Sequence, residues 1–341
     1  MASQADIQTP LGATVVAAPV TTPFVTFDNF LPLDLAQAMR AAAEAHFQQP
    51  HAHKPDTHNV WNYWYVPGLY TYLRAVPERV LGREPVTAFY EGLRRWATQY
   101  LGLANVTWPM LSLYVDGCGQ GIHNDSTNGR FGYVFSLTRN DRGSRGGETI
   151  VWKEGDPFRN SLDRANAGSG LYDLVPPVFN RLVLFDDRMP HGVQRIEGSM
   201  DPLDGRLVLH GHISEGDAVV NGPLTPQTVQ SILAPALDRA LDAFPDTEGL
   251  HHGPLTLRLE IGPDGRLAGC RILVNRVARS DGGSTAPLVE KIVDTIKAVR
   301  FPPGGQPTLV IFPILTGGVL PMIRQQMAQQ AQPQDSGHLR F

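Results

Sequence analysis

Cysteine is nearly absent from this chain, with only Cys118 and Cys270 present. Two thiols so far apart build no disulfide framework and suit a reducing, cytoplasmic setting. Long apolar runs are missing as well. No stretch of about 18 apolar residues occurs, so no membrane span is expected. The opening segment lacks a basic region followed by a long apolar core and does not read as a secretory signal. Positive charge is not in excess either: 29 Lys and Arg against 33 Asp and Glu give a net charge of −4, which leaves no basic footprint for nucleic acid. What remains is an ordinary soluble composition, 42% hydrophobic and 8% aromatic.

At 341 residues the chain exceeds one average domain, and its texture divides it. Residues 1–22, rich in Thr, Ala and Pro, and residues 323–341, rich in Gln, read as flexible tails. Between them the expectation is a first domain over 23–216, a linker over 217–226 and a second domain over 227–322. A short strand at Phe24 leads into an Ala-rich helix, and a second helix is expected from Pro85 to Leu101. The segment between them carries His51, His53 and His58, then Trp61, Tyr63, Trp64 and Tyr65. It reads as a loop whose aromatics cover a core edge or a cleft, with a metal-binding histidine tract as the alternative.

From Trp108 to Ser214 the pattern changes to short β-rich runs punctuated by Gly, Asn, Asp and Pro. Eight are expected, near 109–115, 120–124, 130–138, 147–153, 170–175, 181–186, 191–197 and 205–213. Such spacing implies an antiparallel sandwich or barrel in which one face of each strand looks into a shared interior. The polar, Gly-rich insertion after Trp152 belongs at its rim.

His123 and Asp125 stand two residues apart, and in an extended strand such side chains share a face. A third metal ligand would come from His191. Two histidines and one carboxylate suit ferrous iron with open coordination positions, whereas zinc on the same ligands would favour hydrolysis through a bound water. Arg206 weighs toward iron. A guanidinium carried into a cavity needs an anion and grips a carboxylate bidentately, so a dicarboxylic cosubstrate chelating the metal at one end could be clamped at the other. 2-Oxoglutarate, with O2 as co-reactant, fits that description.

The ordered set LYVDGCGQGIHND, GR, GGETIVW, RLVLFDDRMPH and GRLVLHGHI resembles the prolyl-4-hydroxylase-like branch of the 2-oxoglutarate/Fe(II)-dependent dioxygenases over residues 111–213. The resemblance implies a double-stranded β-helix (jelly-roll) core with flanking helices. His123, Asp125 and His191 would hold iron and Arg206 the far carboxylate of 2-oxoglutarate. Tyr114 matches a tyrosine beside the cosubstrate, and Tyr133 is a second candidate; the alternative for each is a core tyrosine bonded to the backbone. His210 and His212, on the face of Arg206 by period two, are candidates for contacts behind the ligands or to substrate, or are satisfied core histidines. Trp61 and Trp64 are candidate substrate contacts. Asp186, Asp187 and Arg188 read as a solvated rim cluster. A carboxylate at Asp125 points to hydroxylation, since the halogenases of this superfamily lack it.

The second domain, with its GPDGR hairpin, amphipathic helix and RFPPG, resembles the TonB C-terminal family and implies a small α+β domain for peptide docking or dimerisation. The whole reads as a hydroxylase of an amino-acid residue in a peptide or protein. The alternatives are a hydroxylase of a free amino acid or other small metabolite, and a catalytically silent protein-binding module.

Overall fold

The computed structural model describes residues 19–48, 60–153, 171–214, 216–244 and 251–316. The histidine tract at His51, His53 and His58, the rim insertion over 154–170 and most of both expected tails lie outside these residues. The chain divides into two compact units that change over between Val219 and Val220. No helix among the described residues is long and apolar enough to cross a membrane.

The first unit opens with β1 (Phe24–Phe27), α1 (Leu33–Gln48), β2 (Trp61–Val66), β3 (Tyr70–Ala75), α2 (Glu78–Leu81) and α3 (Arg83–Tyr100). Then follow β4 (Asn105–Val106), β5 (Met110–Tyr114), β6 (Gly119–His123), β7 (Phe131–Ser136), β8 (Thr149–Trp152), β9 (Tyr172–Val175), β10 (Leu182–Asp186), β11 (His191–Val193) and β12 (Arg206–Ser214). All eight expected β runs are present as β5 to β12. They join one curled antiparallel sheet in the order β1-β10-β7-β12-β5-β3-β6-β11-β8-β9. By that order two four-stranded halves, β10-β7-β12-β5 and β6-β11-β8-β9, are bridged by β3, consistent with a jelly-roll core.

That bridge corrects the sequence reading, which took the segment from Gln48 to Tyr70 for a loop. Trp, Tyr and Val suit a pleated surface, and Pro67 with Gly68 (φ +73°) turns the chain between β2 and β3. The signal was local, but β3 finds its partners β5 and β6 some forty residues later. Close approach fixes a glycine there: a Cβ on Gly121 would stand 2.6 Å from the Gly68 carbonyl oxygen.

One face of the β10-β7-β12-β5 half is covered by helices. Val86, Phe89, Leu93 and Trp96 form the buried stripe of α3, and Phe89 meets Phe135 at 4.9–5.0 Å ring separation, as Phe27 meets Trp96. Burying each such side chain contributes about 1.5–3 kcal/mol. The opposite face carries Tyr114, Val208 and His210 and looks into a cavity.

The second unit has β13 (Val219–Asn221), α4 (Pro226–Leu241), β14 (His251–Ile261), β15 (Leu267–Asn275), β16 (Ala278–Arg279), α5 (Ala286–Lys297) and β17 (Thr308–Thr316). Its sheet runs β13-β17-β14-β15, with β16 on β14, so part of the segment read as a linker is a strand. Thr225 caps α4 by accepting a hydrogen bond from the Thr228 amide at 3.1 Å, with Pro226 following. In the β14–β15 turn Gly265 has φ +76°, and a Cβ there would meet the Phe301 carbonyl oxygen at 2.0 Å. The Phe301 amide donates to the Gly265 carbonyl at 3.0 Å and Arg266 bridges Arg300, which pairs the GPDGR turn with the RFPPG segment.

Candidate metal centre

β6 and β11 are antiparallel neighbours in which His123 and His191 stand directly opposite each other. Their rings lie 4.5 Å apart. Asp125, just past the end of β6, brings Oδ2 to 3.3 Å from His191 Nε2 and 3.8 Å from His123 Nε2. One ligand atom from each of the three falls within 4.8 Å of the others, a spacing that can hold a metal ion.

The surroundings fix which atoms face the centre. His123 Nδ1 lies 2.8 Å from the Gly121 carbonyl oxygen and His191 Nδ1 lies 2.9 Å from that of Met189. Each Nδ1–H therefore donates to the backbone, which leaves both Nε2 lone pairs for a cation. Asn128 Nδ2 donates to Asp125 Oδ1 at 3.0 Å and turns Oδ2 toward the histidines. Burial, only partly offset by the Gly121 contact, lowers the His123 pKa and keeps that imidazole neutral, as a ligand must be. For Asp125 burial pushes upward, but the adjoining His191 and His123 side chains outweigh it and hold the carboxyl below its ordinary range.

Arg206 opens β12, is 2% exposed, and lines the same cavity of about 200 Å³. Its Nη2 donates to Thr149 Oγ1 at 3.0 Å and its Cζ lies 4.9 Å from the Tyr114 ring centroid. Nε has no partner, and no carboxylate pairs with this guanidinium among the described residues. Glu148 lies near enough to act on its charge without bonding to it, so a buried donor is left for an anion. Burial lowers its pKa and raises that of Tyr114, which stacks on Tyr72 at 4.9 Å. Both a metal ion and a dicarboxylic cosubstrate fit these residues: three preorganised donors at one place and, at another, a guanidinium with no carboxylate partner among the described residues.

The remaining sequence candidates separate. Tyr133 shares the face of Phe135, packs against Phe89 under the helices, and donates its hydroxyl proton to the Thr107 carbonyl at 3.0 Å. It borders the cavity but has no proton left for a cosubstrate, so the core-tyrosine alternative describes it. His210 Nε2 lies 2.8 Å from Ser112 Oγ, and burial together with the charges of Arg74 and Arg206 pushes its pKa down to about 3. His212 Nδ1 pairs with Asp187 Oδ2 at 3.1 Å. Trp61 and Trp64 are three apart on β2 and face opposite ways. Trp64 borders the cavity, while Trp61 turns away to bond His46 Nε2 at 3.1 Å and stack on Phe47.

The Asp-Asp-Arg cluster also departs from expectation. Asp186 and Asp187 are buried, at 1% and 0% exposure. Asp186 accepts from the backbone and side chain of its neighbour Arg188, which folds the turn inward. Asp187, pushed up to about 6 by burial against the pull of His212, reaches Asp125 and His212 closely enough to form a second potential ligand group, and its carbonyl accepts the Asp125 amide at 2.9 Å. A run of charges after a strand gives no local sign of this; only the apolar residues before it and His212 opposite it could have pointed inward.

No protein-family model and no curated protein matches the sequence. Among solved structures the chain is similar to a prolyl hydroxylase from Trichoplax adhaerens in complex with a hypoxia inducible factor oxygen degradation domain peptide fragment, at 17% identity and TM-score 0.40 over 56% of this chain and 82% of that one. It is similar to a Pseudomonas putida prolyl-4-hydroxylase at 20% identity and TM-score 0.40, over 57% of this chain and 94% of the other. A third similar structure is the non-heme alpha ketoglutarate dependent epimerase SnoN from nogalamycin biosynthesis, at 14% identity and TM-score 0.37 over 55% and 77% of the two chains.

Proposed function

We infer that the first unit is an iron(II)- and 2-oxoglutarate-dependent oxygenase that hydroxylates a carbon of an amino-acid-sized group. One observation carries this reading: the His123, Asp125 and His191 donors share a cavity with a buried arginine whose Nε has no partner among the described residues. Bound iron and 2-oxoglutarate would supply oxidative chemistry in which one atom of O2 enters a substrate C–H bond as hydroxyl, the other enters succinate, and the 2-oxo acid loses its first carbon as CO2.

The chain's own residues have separate tasks. His123 and His191 present fixed Nε2 atoms because their Nδ1–H bonds are taken by the backbone, and Asn128 holds the Asp125 carboxylate in place. Arg206 and Thr149 offer donors to the far carboxylate, with Tyr114 beneath the guanidinium. Phe185, packed on the His191 ring at 4.3 Å, keeps water from that ligand. At about 200 Å³ the cavity lies at the small end for ligand pockets, commonly roughly 300–1,000 Å³, which suits an amino-acid-sized group at the metal. That group could stand in a peptide or be a free amino acid. In the second unit β15 ends the sheet, and the docking or dimerisation role expected from the sequence would use that edge. A catalytically silent binding module would have no use for three preorganised donors and an unpaired buried arginine.

Succinate formation tests the reading. Protein reconstituted with Fe(II) without oxygen and then exposed to O2 and 2-oxoglutarate should release succinate and CO2. Metal retention without any succinate would leave the enzyme reading without support.

A further inference from the structure

A second guanidinium faces the same cavity and has no carboxylate partner among the described residues. Tyr70, Tyr72 and Arg74 alternate along β3 on its cavity side, and Arg74 stands opposite Ser112 of β5, whose hydroxyl meets His210. The Arg74 Cζ lies 4.7 Å from the Trp64 ring, and Nη2 rests against Met110 Sδ. An aromatic face and a thioether orient a guanidinium without neutralising it. Among the described residues no carboxylate forms an ion pair with Arg74, and Asp125 is the only acidic side chain that lines the cavity.

Charge balance gives this arrangement a direction. Arg206 and Arg74 each contribute one positive charge, and Asp125 one negative charge. A divalent metal ion and a doubly anionic cosubstrate would cancel each other, which leaves one positive charge over. His212 does not change the balance, since Asp187 is its partner. One more anionic group would close it, and Arg74, half-buried beneath Trp64, is the cation not already assigned one.

We propose that Arg74, braced by Trp64, is the receptor for a carboxylate on the substrate, so that the substrate is a free amino acid or similar small carboxylate, or the carboxyl end of a chain, and not an internal peptide residue. This assignment rests on the 2-oxoglutarate reading of the site, because it takes Arg206 as already committed to the cosubstrate. A planar guanidinium held on one side by an indole leaves its other donors for bidentate capture of a carboxylate.

The test is NMR of the full-length protein labelled with 15N-arginine, loaded with Zn(II) as a diamagnetic stand-in and saturated with 2-oxoglutarate. The Arg74 Nε–H signal is assigned by its loss in Arg74→Lys. Propionate should shift that signal saturably and propionamide should not, and Arg74→Gln should weaken propionate binding by roughly ten- to a hundredfold, the loss of one charge-assisted contact. L-Alanine and trialanine, added separately, tell a free amino acid from a chain end, and a response to either supports the assignment. An Arg74 signal that ignores propionate, follows propionamide equally, or moves with 2-oxoglutarate alone overturns it. The Arg206 signal is the control: if it fails to move on addition of 2-oxoglutarate, the cosubstrate reading has failed, independently of Arg74.

Discussion

Arg206 and Arg74 look into one cavity from different depths. The first is 2% exposed, bonded to Thr149 and set over Tyr114; the second is half-buried under Trp64, which is itself 43% exposed. Neither has a carboxylate partner among the described residues. The difference in depth suggests a division of labour. A fully desolvated guanidinium is tolerable only if its anion returns in every cycle, as a cosubstrate does, whereas one near the mouth can wait in partial contact with water for an anion that varies.

The comparison presupposes a metal in the cavity that both arginines line, so its most drastic break is Asp125→Ala. Equilibrium dialysis with elemental analysis should show Fe(II) binding abolished, with the fold retained by circular dichroism. Next in size is Arg206→Ala: the Kd for 2-oxoglutarate measured by calorimetry should rise at least about thirtyfold while metal binding is unchanged, as expected for loss of a buried charge partner. An equal effect from Arg74→Gln on that Kd would erase the distinction between the two arginines.

His210 sharpens the contrast because both arginines act on it. Burial first, then Arg74 and Arg206, bring its pKa down to about 3 from an ordinary 6.5. The folded state thus takes up this proton later than the unfolded chain. The stability gained by keeping His210 neutral is complete above pH 6.5 and is lost progressively as pH falls from 6.5 toward 3. His210→Asn should flatten this part of the acid limb in denaturant titrations at pH 7 and pH 5, and Arg74→Gln should raise the His210 pKa read by NMR. The smallest effect belongs to Trp64→Ala, which removes a cation–π contact and should weaken propionate binding about two- to fivefold. Trp61→Ala, on the other face of the strand, should lower thermal stability and leave that binding alone.

What could be read from the sequence follows how local each signal is. β5 to β12 were legible because each is a short apolar run closed by its own turn residues; their number and spacing imply a sandwich or barrel, and the double-stranded β-helix is what the family resemblance implies. The proximity of His123 to Asp125 came from period two alone. The β2–β3 hairpin was missed although WNYWYV followed by Pro67-Gly68 is a strand-and-turn pattern, since its role as a bridge depends on β5 and β6. Once it is a strand, the same period separates Trp61 from Trp64 and leaves Arg74 beside Tyr72 on the cavity wall. Asp187 was illegible for another reason: a carboxylate is expected in water, and only His212, 25 residues later and across the sheet, explains its burial. Arg74 was passed over because, without a strand assigned to residues 70–75, it has no face.

The central claim is that one cavity holds a metal ion and 2-oxoglutarate together. Its most direct test is the visible charge-transfer absorption that develops when a 2-oxo acid chelates Fe(II), followed without oxygen. Wild-type protein should develop the band with one equivalent each of Fe(II) and 2-oxoglutarate; succinate should not replace the 2-oxo acid, and His191→Ala should abolish the band. A wild-type protein that retains Fe(II) yet shows no band, or shows the same band after His191→Ala, would contradict the account.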